Sequence, residues 1–195
     1  HAAIMDIAYM RAMPNMTIIA PTDAVMIEKV IERAVDYPGP IYIRCARSEE
    51  PLVYHEGQLE DYQIGKAIQL TDGNDITLIG IGNGVYQCVK TAAMLEKEGI
   101  SARVIDLHTV KPLDREIILK AAKETRAIIT VEDHVIDGGM GSAVAEVVTS
   151  SLDPEVRVPV KRLGIPNCFF IQGSPEEVYG YGADGVVKAA HELLG

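Results

Sequence analysis

Apolar and polar positions in the first part of the chain follow two periods in turn. Thr17-Ile18-Ile19-Ala20 is a short β-rich run, and Pro21-Thr22-Asp23 opens a stretch in which Ile27, Val30, Ile31 and Ala34 keep the i, i+3, i+4, i+7 spacing of one helix face. Pro38-Gly39-Pro40 stops that helix, and Ile41-Tyr42-Ile43-Arg44 predicts a second strand. The block reads as a β-α-β unit with a parallel pair.

Residues 48–63, SEEPLVYHEGQLEDYQ, hold five acids and no Lys or Arg and keep neither period, so a linker is expected there. The pattern then restarts. Ile76 to Ile81 predicts a strand, and Val85, Cys88, Val89, Ala92 and Leu95 a helix face closed by Gly99 in left-handed backbone. Arg103 to Leu107 predicts a strand, Asp114 caps a helix carrying Ile117, Ile118, Ala121 and Ala122, and Ala127 to Val131 is apolar without alternation, as in a strand covered on both faces. A helix with Ala143, Val144, Val147 and Val148 on one face follows Gly138-Gly139, and a strand follows near Val156 to Leu163. Ser174-Pro175-Glu176-Glu177 reads as a capping box with Pro at the first helical position, and a last helix runs from about Gly185 to Leu194. Residues 65–195 therefore predict an α/β domain with a mostly parallel sheet, and no repeat of solenoid period is present.

Composition narrows the class. Of 195 residues 48% are apolar and 24% charged, enough for a real core, and no apolar run reaches the length of a membrane span. A net charge of −10 opposes phosphate backbones and anionic lipid heads, so neither nucleic acid nor membrane is an expected partner. Cys45, Cys88 and Cys168 show neither a disulfide framework nor a zinc spacing, which points to a reducing, cytoplasmic compartment. The chain opens on His1-Ala2-Ala3-Ile4 without a leader pattern, so it is expected to begin inside a longer protein.

Gly80-Ile81-Gly82-Asn83-Gly84, with Asp106 ending the next strand, invites a dinucleotide reading, but Val85 stands where the third glycine belongs; a tight strand-to-helix turn is the alternative. Asp137-Gly138-Gly139-Met140-Gly141-Ser142 either offers amides to an anion or permits close packing. Ser142 is not in a hydrolase elbow, and His191-Glu192 lacks the second His of a metalloprotease helix. Glu132-Asp133-His134 ends a buried strand, where α/β sheets hold ligands, or forms a loop or subunit contact. His55 and His108 have no evident base or metal. Arg44 and Arg47 are the one positive concentration, and Arg47 either clamps a phosphate or answers Glu49 and Glu50.

The runs HAAIMDIAYMRAMPNMTIIAPTDA, GPIYIRCARSEEP, ISARVIDLHTVKPLD, VEDHVIDGGMGSAVAEVV and GSPEEVYGYGADGVV, in this order, strongly resemble the C-terminal section of transketolase, above all the split form whose two sections are separate chains. The resemblance covers essentially the whole chain. It implies that residues 1–47 are the end of the pyrimidine-binding domain, 48–64 a linker and 65–195 the transketolase C-terminal domain. It also implies transfer of a two-carbon ketol unit between sugar phosphates with thiamine diphosphate and Mg²⁺, a partner N-terminal section, fused or separate, and a homodimer in the pentose phosphate pathway. His1 matches the family's His beside the thiazolium, where an imidazole of near-neutral pKa exchanges protons with sugar hydroxyls. Arg47 matches its sugar-phosphate Arg. Ala2 and Met5 replace the family's usual Gln and Glu, which bears on substrate range.

The groups that hold the cofactor belong upstream in that family, so this fragment by itself is expected to be inactive and not to bind thiamine diphosphate tightly. A relative, 1-deoxy-D-xylulose-5-phosphate synthase, shares His1, Asp6-Ile7-Ala8-Tyr9, Pro14-Asn15-Met16 and Val110-Lys111-Pro112-Leu113-Asp114, but typically has R-Y-P-R-G in place of Arg44-Cys45-Ala46-Arg47-Ser48. The β subunits of 2-oxo acid dehydrogenases share the domain plan and match the N-terminal motifs less well. A non-catalytic dimerisation or regulatory module is the remaining alternative.

Overall fold

The protein is described by a computed structural model covering residues 3–46, 51–169 and 173–195. The elements run α1 (Asp6–Ala12), β1 (Thr17–Ile19), α2 (Ala24–Ala34), β2 (Ile41–Ile43), β3 (Ile68–Thr71), β4 (Ile76–Gly80), α3 (Asn83–Glu96), β5 (Ala102–Asp106), β6 (Thr109–Lys111), α4 (Arg115–Glu124), β7 (Ile128–Val135), α5 (Met140–Thr149), β8 (Val160–Ile165), α6 (Pro175–Val178) and α7 (Ala183–Leu194). Five strands form a sheet in the order β3-β5-β4-β7-β8, parallel except for the antiparallel edge strand β3.

Successive residues of the central strands enter different cores. Leu78, Val104 and Ile129 meet Cys88, Leu95, Val186 and Ala190 of α3 and α7, while Ile79, Ile105 and Ile128 meet Ile118 and Ala121 of α4 and Val144 and Val147 of α5. Both faces are covered, which is why these strands do not alternate in sequence. Asp114 caps α4 through the Ile117 amide, and Gly99, at φ +80°, ends α3 as expected.

Beside this sheet lies a smaller one, β2-β1-β6, in which β1 and β2 are parallel and β6 is antiparallel to β1. β6 follows β5 after only two residues, so the first block and the larger sheet are joined by main-chain pairing. The strand β4 lies between β5, reached through α3, and β7, so the strand order reverses at its carboxyl end. Crevices for ligands open at such places.

Four sequence expectations are revised. Tyr54, Leu59 and Tyr62 of the expected linker are buried against Ile19, Met26 and Val30, and the Asp23 carboxylate that caps α2 also accepts the amides of Val53 and Tyr54. Five acids hid three apolar anchors. Ile31, placed on the buried face of α2, is 50% exposed, because Met26 and Val30 set that face. The last strand begins at Val160 rather than near Val156. Ser174 makes no side-chain cap to α6, which is a single turn.

Candidate functional site

Polar side chains gather where α1 begins and where β2 and β7 end. Tyr42 and Arg44, two residues apart on an extended chain, point the same way and both reach Asp6. The Tyr42 hydroxyl donates to Asp6 Oδ2 at 2.7 Å, and Arg44 Nε donates to the same oxygen at 3.1 Å. Arg44 Nη1 donates to Asp133 Oδ1 at 2.7 Å, and Nη2 donates to the carbonyls of Ala3 and Asp133 at 3.1 and 3.2 Å. Burial opposes the guanidinium's charge, but Asp133 and Asp6 outweigh it and raise its pKa above the arginine norm. Burial, then Asp6, pushes Tyr42 up to about 12.

His134 completes this cluster. Its Nδ1 lies 2.7 Å from the Val135 carbonyl, which can only accept, so Nδ1 carries the proton. Nε2 is buried without a hydrogen-bond partner and faces Asp6 Oδ1 at 3.9 Å. Burial holds this imidazole below its usual pKa.

The anion at the amino end of α5 is the chain's own. Glu132, fully buried, accepts the amides of Met140 and Gly141 at 2.7 and 2.9 Å. A Cβ on Gly139 would overlap the Glu132 carboxylate and one on Gly141 the Thr130 hydroxyl, so the glycines serve close packing rather than an outside ligand. Burial raises Glu132 to about 7. Ser142 is equally occupied: it donates to the Ile136 carbonyl and accepts from Gly138 and Arg162.

At the end of β5, Asp106 is fully buried and its Oδ2 accepts from Thr22 at 2.5 Å and Tyr54 at 2.8 Å, while Oδ1 has no partner. Burial raises its pKa to about 7. This acid is therefore unavailable to a ribose. A Cβ on Gly84 would overlap the Val131 carbonyl and one on Gly80 the backbone of Val85, so the turn after β4 is a packing turn and the dinucleotide reading fails. His108 is a core residue: Nε2–H donates to the Lys66 carbonyl, Nδ1 meets Thr109 and Tyr62, and burial lowers its pKa to about 4.

Of the two residues singled out for catalysis and phosphate binding, His1 and Arg47 both lie outside the described residues. Among the described residues, Arg44 donates to the Ala3 carbonyl. Asp6 and Tyr42 were missed by the sequence reading; the two-residue spacing of Tyr42 and Arg44 was the available signal. Among the described residues no three His, Cys, Asp or Glu side chains converge as a metal site requires. No helix there is long and apolar enough to cross a membrane.

Two known families match parts of the chain. Residues 65–186 match the family described as transketolase, C-terminal domain, and residues 1–51 match transketolase, pyrimidine binding domain. One of the subunits of the apulose-4-phosphate transketolase of Phocaeicola vulgatus is 42% identical over 100% of this chain and 61% of its own length. The 1-deoxy-D-xylulose-5-phosphate synthase of Heliobacterium modesticaldum is 38% identical over 99% of this chain and 30% of its own. A solved structure of a split gene transketolase, an inactive beta4 tetramer, superposes with a TM-score of 0.91 at 37% identity, covering 100% of this chain and 62% of that one. The chain thus spans less than two thirds of the length of each of these relatives.

Proposed function

We propose, from the premise that this chain belongs to the transketolase family, that it is the C-terminal section of an enzyme moving a two-carbon ketol unit between sugar phosphates. The observation carrying this reading is the near-complete match of the chain to split transketolase subunits, in sequence and in fold. Residues 1–47 are read as the end of a pyrimidine-binding domain, 48–64 as the connection and 65–195 as the C-terminal domain.

In this reading the complete protein uses thiamine diphosphate with Mg²⁺. Among the described residues the amides at the amino end of α5 are already taken by Glu132, which supports placing the cofactor's diphosphate elsewhere. The diphosphate and metal fall to a partner section, fused or separate, and this chain supplies the substrate side. Arg47 clamps the sugar phosphate through its planar fork, and His1 exchanges a proton with a hydroxyl at the ketol end. Family members place such sites between protomers, so we read the working enzyme as a cytoplasmic assembly, at least a dimer.

The face Ala143, Val144 and Val147 is no part of that contact, although its small residues suggest one. All three are buried in this chain's own core.

Relatives acting as 1-deoxy-D-xylulose-5-phosphate synthase support a second reading. Turnover of the complete protein with cofactor, Mg²⁺ and an aldose-phosphate acceptor separates the two. A ketose phosphate serving as donor supports the transketolase reading; pyruvate serving in its place overturns it in favour of the synthase.

A further inference from the structure

The stretch that follows His1 is held at three points. The Ile4 carbonyl accepts the Val135 amide at 2.8 Å, the Ala3 carbonyl accepts Arg44 Nη2, and the Asp6 carboxylate accepts Arg44 Nε and the Tyr42 hydroxyl. Two of these three anchors pass through Arg44, whose remaining nitrogen, Nη1, is spent on Asp133 at the carboxyl end of β7. The guanidinium therefore bridges α1, β2 and β7, with a side chain only 14% exposed and every nitrogen engaged. An ion pair on a free surface would contribute little; one that is mostly desolvated and fork-shaped fixes geometry as well as energy.

We propose that Arg44 is a positioning residue: by gripping Ala3, Asp6 and Asp133 together it docks the start of the chain onto β7 and so sets the place from which the His1 imidazole meets the ketol. This rests on the catalytic reading of His1, which precedes Ala3 by two residues in sequence. Arg44 touches no substrate in this scheme. Its action is transmitted through the Ala3–Asp6 backbone, which two intervening peptide units connect to the imidazole.

Three variants of the complete protein test this. Arg44→Lys keeps the charge but replaces a planar fork by one ammonium that cannot span four acceptors. It is expected to lower kcat about tenfold or more while KM for phosphorylated sugars changes less than about threefold, since small misplacement of a reacting group is costly in rate. Asp133→Asn, which does not touch the stretch itself, should move kcat in the same direction by a smaller factor. Hydrogen exchange should quicken over residues 3–9 and at the Val135 amide in Arg44→Lys and stay unchanged in β4 and β5. His1→Ala serves as the reference. If it abolishes turnover while Arg44→Lys keeps full kcat, or if exchange over 3–9 is unaltered, the positioning proposal fails alone; if His1→Ala itself keeps full kcat, the catalytic reading fails and takes the proposal with it.

Discussion

Arg47 and His1 are expected to fail differently when removed, because one is read as holding the distant phosphate and the other as touching the reacting carbons. Arg47→Ala should raise KM for phosphorylated sugars by roughly ten- to a hundredfold, the equivalent of about 1.5–3 kcal/mol for a charge-assisted contact, and affect free sugars far less. His1→Ala should depress kcat for every donor; equal losses on both sugar types in Arg47→Ala would make that side chain structural. Asp106 carries a prediction about pH. Its folded pKa of about 7 stands above the ordinary carboxylate value of 3.8, so the folded state holds the proton more tightly and its stability contribution is lost as pH rises between those values. The slope is at most about 1.4 kcal/mol per pH unit. Glu132 acts in the same sense between 4.5 and about 7, and His108, lowered from 6.5 to about 4, in the opposite one. Denaturation at pH 5, 6 and 7 should therefore show Asp106→Asn gaining on the parent as pH rises, and parallel profiles would contradict the assignment. At this scale the sequence was least informative: Asp106 was visible as the end of a strand and as the acid of a dinucleotide reading, while its bonds to Thr22 and Tyr54 join residues far apart in the chain.

At the scale of elements, the segment 48–63 was misread as a linker, and the surroundings of one helix face were not legible. The helix face Ala143, Val144, Val147 was correctly periodic, yet periodicity cannot say whether a face meets its own sheet or another chain. The structure places it against β7 and α4, with Ala143 2% exposed. Ala143→Glu is accordingly expected to unfold the chain by several kcal/mol rather than to yield a folded monomer, through an unpaired buried charge and overpacking. Circular dichroism melting reads this directly, and an unchanged Tm would return the face to the surface. The segment 51–64 behaves as a strap: Leu59 is buried beside Met26 and Val30, so Leu59→Ala should cost about 2–5 kcal/mol, whereas a true linker would change by less than about 0.5 kcal/mol. Helix and strand periods, caps at Asp114 and the turn at Gly99 were readable because each is set within a few residues. β3 and β6 were not, since Ile68-Gln69-Leu70-Thr71 and Thr109-Val110-Lys111 hold no run of apolar residues like those of β1 and β2 and take their form from partners β5 and β1.

The whole molecule joins the two blocks through β6 on β1, Arg44 on Asp133 and Tyr54 on Asp106, so the start of the chain is held by the larger sheet. The motif order pointed to this family, and the matches of residues 1–51 and 65–186 bear that out. Carbon tracing tests the reading most directly: the complete protein, with thiamine diphosphate and Mg²⁺, is given a ketose phosphate labelled with ¹³C at its first two carbons and an aldose-phosphate acceptor. The account predicts that the labelled pair reappears intact as the first two carbons of a ketose phosphate two carbons longer than the acceptor; an unlabelled product formed only when pyruvate is added, with release of its carboxyl carbon as CO₂, would contradict it.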